Sequence, residues 1–249
     1  MLKEQELFTV FGRQPVIEAL KSNYKIHKLW LARDLQGKVI NQIKKLSENK
    51  KVHTRTVDKN EIQKITGPVV HQGIAAVCEP LHIYSENLLA DFLDKQKNLF
   101  LVVLDQVQDP HNLGAILRTA EICGVDAIII PEKGSAQLNS TVAKTSAGAL
   151  FHLNIFLAKS LEKCFEIFNE RDIISFALLP GTEISMYDTN LKKTLALVIG
   201  SEGQGVRKNI ARLCTDKITI PQFGKVDSLN ASVASAIIMY EVVRQRKFS

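Results

Sequence analysis

The stretch VIGSEGQGV, from Val198 to Val206, followed by ITIPQFGKVDSLNASVA, from Ile218 to Ala234, decides the fold class. It places a glycine-rich turn late in the chain. In a Rossmann-type domain that turn follows the first strand, because the pyrophosphate must meet the N-terminus of the first helix. Here the first strong strand of the larger half, Leu99 to Leu104, runs into DQVQDPHN instead. A nucleotide-dependent oxidoreductase is therefore disfavoured, and the missing Gly-Lys-Ser/Thr of a Walker A loop disfavours ATP hydrolysis.

The composition predicts an ordinary soluble globular protein. The 249 residues are 45% hydrophobic and 23% charged, which suits one large or two modest domains. The start, MLKEQELF, carries charges where a signal peptide needs an apolar core, and no apolar run is long enough to span a membrane. We expect a cytoplasmic location without a membrane partner. The four cysteines lie far apart with no CxxC spacing, which predicts buried reduced thiols and no bound metal.

The distribution of charge is more informative than its total of +6. Residues 1–82 hold 14 Lys and Arg against 8 Asp and Glu, whereas residues 83–249 hold 18 of each. The whole basic excess therefore lies in the first third of the chain. A solvated surface is the simplest interpretation, and a nucleic-acid partner is the functional one.

Residues 1–82 have the pattern of a small α/β domain. Pro15 suits the first turn of a helix, the apolar run from Ile26 to Leu31 predicts a strand, and Val39 to Leu46 shows helical spacing. A short strand near Val52, a helix around Glu61 to Thr66 and the apolar segment from Ile74 to Val77 follow. Residues 83–97 are more polar and are interpreted as a linker that joins the second domain, with a short helix expected at Leu88 to Leu93.

Residues 98–249 alternate β-branched runs with amphipathic segments of helical length. The runs are FLVVL, AIII, NIFL, IISFALL, LALVI and KITI. Such alternation predicts βαβ units and a mainly parallel sheet.

Three motifs together resemble the SPOUT methyltransferases, in particular the TrmH-like RNA 2'-O-ribose methyltransferases. They are NLGAILRTA from Asn112 to Ala120 and the two late stretches quoted above. The phrases VFGRQPVIEAL and VHQGIAAV, at residues 10–20 and 70–77, are similar to the small RNA-binding domain of the enzymes that methylate guanosine in 23S rRNA. The resemblance implies an α/β fold with a trefoil-knotted C-terminal domain and an N-terminal domain like ribosomal protein L30e.

The same resemblance implies function, partners and site residues. It implies S-adenosylmethionine as cofactor, no metal, a homodimer, and a guanosine of 23S rRNA or a ribosomal precursor particle as substrate. The implied catalytic residues are Asn112, Arg118, Glu202, Ser228 and Asn230. The implied cofactor contacts are Gly200, Ile220, Leu229 and Asn230. The implied RNA contacts are Arg13, Gln14, His71, Gln72, Gln137, Asn139 and Lys144.

Each chemical role has a simpler structural alternative. Asn112 precedes an apolar stripe at helical spacing and can be the N-cap of that helix. Arg118 lies off the same stripe and can pair with Glu121 on the surface. Glu202 can be an exposed loop carboxylate or cap the helix near Val206, and Ser228 or Asn230 can be helix N-caps. His111 is more often a local hydrogen-bond partner in such a turn than a base, so it is left out of the catalytic set.

The arginine raises a question of chemistry. A guanidinium with a pKa above ~12 stays protonated, so Arg118 is a poor general base. We expect it to grip an adjacent phosphate and stabilise the developing alkoxide, while the proton leaves to a phosphate oxygen or to water. In family members the arginine can complete the partner subunit's site.

Two rival functions stay open. One is the same chemistry on tRNA, and the other is an RNA-binding or ribosome-assembly protein without turnover.

Overall fold

A computed structural model of the chain describes residues 7–248. The first six residues, which carry most of the charged start considered above, lie outside that range. The described residues form two compact units. The first lies within Met1–Leu81 and Gln137–His152, and the second within His82–Ala136 and Leu153–Ser249.

The first unit is a four-stranded sheet with helices on both faces. The strand order is β1-β4-β2-β3, with β4 antiparallel to both neighbours and β2 parallel to β3. The predicted helices and strands are present, although the strand expected near Val52 begins two residues later, and β1 was not predicted. The elements are β1 Phe8–Phe11, α1 Arg13–Lys21, β2 Ile26–Ala32, α2 Lys38–Asn49, β3 Thr54–Val57, α3 Lys59–Thr66, β4 Ile74–Cys78, α6 Ser140–Thr145 and a 3-10 turn Ala149–His152.

The segment 137–152 packs against the N-terminal part of the chain, although it follows in sequence from strands of the second unit. The Ser140 hydroxyl donates to the Thr9 carbonyl at 2.5 Å, and the Lys144 ammonium donates to the Val70 carbonyl at 2.6 Å. Gly148 has a φ of +89°, and a Cβ there would lie 2.7 Å from Glu18 Cβ. A side chain at Gly148 is therefore excluded by this contact.

The second unit is an eight-stranded sheet in which every pairing is parallel, as the alternating pattern predicts. The order is β10-β12-β9-β11-β6-β7-β8-β5. Two short strands, β5 and β10, were not predicted. The elements are β5 Ile83–Ser85, α4 Leu89–Leu93, β6 Phe100–Asp105, α5 Pro110–Ile122, β7 Ala127–Pro131, β8 Ile155–Ala158, α7 Leu161–Asn169, β9 Ile174–Leu178, β10 Ile184–Ser185, β11 Leu195–Gly200, α8 Lys208–Ala211, β12 Asp216–Thr219 and α9 Ala231–Phe248, with a 3-10 turn at Glu86–Leu88.

The predicted linker contributes structure to the second unit. Strand β5 pairs with β8, and Leu89 and Leu93 of α4 are buried in the core with Phe156 and Phe165. Apolar side chains at helical spacing explain the packing, because they lose contact with water when α4 covers the sheet. The division at residues 82 and 98 stays a prediction, as does the trefoil knot.

The central strands are apolar on both faces, as expected for a parallel sheet covered by helices. All six residues of β6 and all six of β11 are buried. No helix within residues 7–248 is long and apolar enough to cross a bilayer.

The C-terminal helix is anchored at its far end. The Arg246 guanidinium donates to the carbonyls of Leu99, Leu191 and Lys193, and Gln245 accepts from the Leu191 amide at 2.9 Å. Burial lowers the pKa of Arg246 from its ordinary value. These bonds fix α9, whose first turn adjoins the site described next.

The four cysteines are free thiols, and two of them are less buried than predicted. Cys78 and Cys164 are buried, whereas Cys123 and Cys214 are half-buried. Burial raises the pKa of Cys78, Cys164 and Cys214 to about 12 and that of Cys123 to about 11.

Candidate active site

Three polar residues from distant parts of the sequence meet in the second unit. Asn112 lies in the first turn of α5, Glu202 in the turn after β11, and Asn230 directly before α9. Strands β6 and β11 are adjacent and parallel, so the segments that follow them start from the same edge of the sheet. The parallel topology thus brings the first two motifs together, and the anchored helix α9 brings the third.

Hydrogen bonds join the three side chains. Glu202 Oε2 accepts from Asn112 Nδ2 at 2.9 Å and from Asn230 Nδ2 at 3.0 Å. Asn230 Nδ2 also donates to Asn112 Oδ1 at 3.1 Å. One carboxylate oxygen therefore orients both amides, and the carboxylate keeps a second oxygen outside this set of bonds. We call these residues the Asn112–Glu202–Asn230 triad.

The cap of α5 differs from the prediction and explains why Asn112 is available. Asp109, not Asn112, is the N-cap, and its carboxylate accepts from the His111 amide at 2.9 Å, with Pro110 following as the first helical residue. The Asn112 side chain is thus free to bond to Glu202.

Asn230 does cap its helix, in addition to joining the triad. Its Oδ1 accepts from the backbone amides of Ser232 at 2.9 Å and Val233 at 3.4 Å, and from the Ser232 hydroxyl. Its Nδ2 group is left to donate to Glu202 and Asn112. The capping and functional roles are therefore compatible in one side chain.

The turn that carries Glu202 folds tightly on itself. The Gly205 amide donates to the Ser201 carbonyl at 2.9 Å, and a Cβ on Gly200 would lie 1.9 Å from the carbonyl carbon of Gly205. Glycine is required at position 200 because the returning backbone occupies the space of a side chain. Glu202 does not cap α8, which begins at Lys208.

A buried ion pair, which the sequence did not lead us to expect, holds the end of this turn. The Asp105 side chain is fully buried at the end of β6 and accepts from the Arg207 amide and from Arg207 Nε, both at 2.8 Å. Arg207 Nη2 lies 2.8 Å from Asp105 Oδ1. The sequence feature that could have indicated this ion pair is the acidic residue directly after the apolar run FLVVL. The pair attaches the turn to β6 beside the helix that carries Asn112.

A cleft of about 340 Å³ lies next to the triad. Its walls come from three loops, which follow β9, β11 and β12, and from the start of α9. The Thr182 hydroxyl in this lining is buried and has no hydrogen-bond partner among the described residues. The lining residues used below are Thr182, Gly200, Glu202, Ile220, Ser228 and Leu229.

Most of the predicted catalytic and cofactor residues therefore gather in one place. Glu202, Ser228, Gly200, Ile220 and Leu229 line the cleft, while Asn112 and Asn230 bond to Glu202 at its wall.

Arg118 is placed apart from the triad. Its side chain is exposed and has no ion pair within residues 7–248, so the suggested pairing with Glu121 is not formed. Six residues along α5 from Asn112 correspond to about 9 Å along the axis and about 120° around it. Arg118 is therefore not a member of the triad in its own chain.

The seven residues predicted to contact RNA all belong to the first unit. Gln72 Oε1 accepts from the Arg13 amide at 2.9 Å, and His71 Nδ1 accepts from the Gly73 amide at 3.0 Å. Two others have bonds within their own helices, since Gln14 donates to Glu18 and Asn139 caps α6. Gln137 is exposed, and Lys144 bonds to the Val70 carbonyl.

A polar triad beside a cleft, at the ends of parallel strands, is typical of a small-molecule binding site in an α/β protein. Comparison with known proteins identifies the family. Residues 99–240 match the SpoU rRNA Methylase family, and residues 9–84 match the domain described as RNA 2'-O ribose methyltransferase substrate binding.

Individual relatives agree along nearly the whole chain. A TrmH family tRNA/rRNA methyltransferase of Staphylococcus haemolyticus is 36% identical, over 97% of each chain. A Synechocystis sp. protein named as an uncharacterized tRNA/rRNA methyltransferase is 34% identical over 98% of this chain, which spans 64% of that relative's length. The structure of an S-adenosylmethionine-bound rRNA methyltransferase from Sinorhizobium meliloti superimposes with a TM-score of 0.77 at 26% identity, covering 99% of this chain and 90% of that one.

The chain belongs to the SpoU/TrmH family of RNA methyltransferases, as the three motifs predict. Its N-terminal part is the substrate-binding domain of that family.

Proposed function

We propose that this protein transfers a methyl group from S-adenosylmethionine to the ribose 2'-hydroxyl of a guanosine in 23S rRNA. The observation that carries the proposal is the Asn112–Glu202–Asn230 triad at the wall of the cleft. Three residues from separate motifs form it with ordinary hydrogen-bond distances, and all three were predicted as catalytic. Membership of an RNA methyltransferase family supports the same chemistry.

The cleft suits the cofactor. Its volume of about 340 Å³ lies in the usual range of small-molecule pockets. Apolar side chains of Ile220 and Leu229 can contact adenine, and the bare backbone of Gly200 allows close approach. The buried Thr182 hydroxyl lacks a partner, and such groups are normally satisfied by a ligand or water. When bound there, S-adenosylmethionine supplies a methyl group on a sulfonium, which is a good leaving group for in-line displacement by a hydroxyl oxygen.

The chain's own residues contribute alignment and charge. Glu202 holds the two asparagine amides in fixed orientations, so that they and Ser228 can position the acceptor ribose. Arg118 binds a phosphate of the RNA through its fork of N–H donors and stabilises the alkoxide as the hydroxyl loses its proton. That proton leaves to a phosphate oxygen or to water, because a guanidinium cannot accept it.

Arg118 performs this role in the partner's site of a homodimer. Its distance from its own triad along α5 supports this, and so does an outward apolar face on the adjoining helices. Val233 and Tyr240 on α9 are 46% and 53% exposed, and Ile122 on α5 is 60% exposed. Helix α9 is also buried along its other side, so it is apolar on two faces, as expected for a helix between a core and a partner.

Mixing two impaired variants tests the shared site. Arg118→Ala and Glu202→Ala, each impaired at least about tenfold alone, should together recover about a quarter of wild-type turnover, since half of randomly formed dimers hold one intact site. Recovery of no activity, with exchange of subunits shown by native mass spectrometry, would contradict a shared site.

Ribosomal RNA is the proposed substrate for three reasons. The matched family is named for rRNA methylation, and the S. meliloti relative is an rRNA methyltransferase. Residues 10–20 and 70–77 also resemble the enzymes that act on guanosine in 23S rRNA. Ribosomal RNA and its assembling particles lie in the cytoplasm, and four free cysteines suit that reducing compartment.

Methyl transfer to two RNAs separates this proposal from its rivals. Wild-type protein with labelled S-adenosylmethionine should methylate unmodified 23S rRNA or its precursor particle and leave tRNA unlabelled. Labelling of tRNA alone would show that the proposed substrate is wrong, while methyl transfer as the proposed reaction would be retained. An RNA-binding assembly protein without turnover would bind rRNA and label neither.

A further inference from the structure

One face of the first unit's sheet is only partly covered. Helix α3 packs through Ile62 against Phe11, Trp30 and Ala75, which lie on one face of the sheet. The neighbouring row on that face is half-exposed. It consists of Thr9, Val77 and Lys28, in which Val77 is the cross-strand partner of both other residues.

Basic side chains lie at both edges of this face and on its half-exposed row. Phe11, Ala75, Trp30 and Arg55 are aligned across β1, β4, β2 and β3. Lys144 Nζ lies 5.4 Å from the Phe11 ring centre, and Lys28 Nζ lies 5.0 Å from that of Trp30. Arg55 occupies the edge strand and is exposed. Phe11, Ala75 and Trp30 are buried beneath α3, so a phosphate chain can follow only the half-exposed row beside them. The edge strands β1 and β3, which bound that row, are three strand spacings apart, or roughly 14 Å.

The surrounding sequence is strongly cationic. Residues 25–57 contain nine Lys and Arg and only two Asp and Glu, so the net positive charge of this segment alone exceeds that of the whole chain. Of the two acids, Asp34 pairs with Lys59 at 2.5 Å. Lys28 and Arg55 have no carboxylate partner within residues 7–248. Cations without counter-charges on a half-exposed face are complementary to a polyanion.

We propose that the face defined by Lys28, Arg55 and Lys144 binds the phosphate backbone of the substrate RNA. The identity of that RNA rests on the proposed function. Trp30 is only 8% exposed and so cannot stack on a base. The contacts are therefore charge contacts that position the RNA without reading its sequence.

The salt dependence of binding provides the test. The variant Lys28→Gln/Arg55→Gln removes two charges and keeps much of each aliphatic stem. The matched control, Lys44→Gln/Lys45→Gln, removes two charges from exposed positions of α2, which packs on α1 rather than on this face. Affinity for in vitro transcribed 23S rRNA is measured by filter binding between about 50 and 200 mM salt.

The first variant should lower the slope of log affinity against log salt by about 1.4 to 1.8, since each phosphate contact contributes about 0.7 to 0.9. The control should leave the slope unchanged. Wild-type RNA binding should also alter the fluorescence of Trp30, the single tryptophan of the chain, because Lys28 lies over its ring. An unchanged slope in the first variant, an equal loss in the control, or constant Trp30 emission would each overturn the proposal.

Two parallel measurements keep this test separate from the proposed function. S-adenosylmethionine binding, measured by calorimetry, should be equal in all three proteins. If wild-type protein methylates only tRNA, the same slopes are measured on tRNA, and the substrate alone is revised. If rRNA is methylated and the salt slopes of wild type and Lys28→Gln/Arg55→Gln are equal, the proposed RNA-binding face is wrong and the proposed function is retained.

Discussion

The Asp105–Arg207 ion pair offers the sharpest test of how the site is built. Asp105→Ala removes the fully buried carboxylate that accepts from both the backbone amide and the guanidinium of Arg207. Residues 201–207, which carry Glu202, then lose their attachment to β6. We expect both the free energy of unfolding and the affinity for S-adenosylmethionine to fall.

The magnitude follows from burial. Removing one partner of a buried ion pair costs about 3–5 kcal/mol, because the other charge is left without compensation. The Arg207 side chain is 35% exposed, so its guanidinium can regain water, and we expect the low end of that range, about 3 kcal/mol. Asp105→Asn keeps one acceptor for the Arg207 amide and should lose roughly half as much.

Urea denaturation followed by circular dichroism measures the first effect, and calorimetry with S-adenosylmethionine measures the second. The matched control is Asp94→Ala, which breaks a two-point contact with Arg171 on the surface. Because Asp94 is solvent-exposed, we expect its unfolding midpoint to stay within experimental error. The reasoning is refuted if Asp105→Ala and Asp94→Ala have equal midpoints, or if Asp105→Ala binds the cofactor as well as wild type.

Three further predictions concern the cleft and the thiols. Gly200→Ala should abolish cofactor binding measured by calorimetry, because its Cβ would overlap the Gly205 backbone. The control Gly224→Ala, with nothing within 4 Å of its Cβ, should bind the cofactor normally, and equal affinities of the two variants would contradict the prediction. Thr182→Val should weaken S-adenosylmethionine binding about five- to tenfold without lowering the melting temperature, since the hydroxyl has no partner in the free protein, and an unchanged Kd would exclude a bond to the ligand. A thiol reagent added to the native protein should modify Cys123 before Cys78. Because only the thiolate reacts, the rate of Cys123 labelling should rise about tenfold per pH unit below its pKa of about 11, and preferential labelling of Cys78 would contradict this prediction.

The strands of the second unit could be predicted from the alternating pattern of the sequence, because parallel strands covered on both sides must be apolar throughout. All six predicted runs are strands. The meeting of Asn112, Glu202 and Asn230 followed from a family resemblance. Their mutual hydrogen bonds are a tertiary property that no local pattern contains.

Other features depend on contacts between distant residues. The Asp105–Arg207 pair joins positions 102 residues apart, and the complete burial of the Asp105 side chain, with 0% exposure, cannot be inferred from its neighbours in sequence. The packing of residues 137–152 on the first unit depends on the close approach at Gly148. Asn112 was predicted to cap α5 because it precedes the apolar stripe, yet Asp109 is the cap and the helix starts three residues earlier, at Pro110. Strands as short as β10 have too few residues for a pattern.

Nucleoside mass spectrometry of the reaction product tests whether this site methylates the ribose of a guanosine. Unmodified 23S rRNA is incubated with S-adenosylmethionine and either wild-type protein or Glu202→Ala, and the digested nucleosides are separated. We predict 2'-O-methylguanosine with wild-type protein and a loss of about ten- to a hundredfold with the variant, because one charged acceptor orients both asparagine amides. A methyl group on a base, or equal yields from the two proteins, would contradict it.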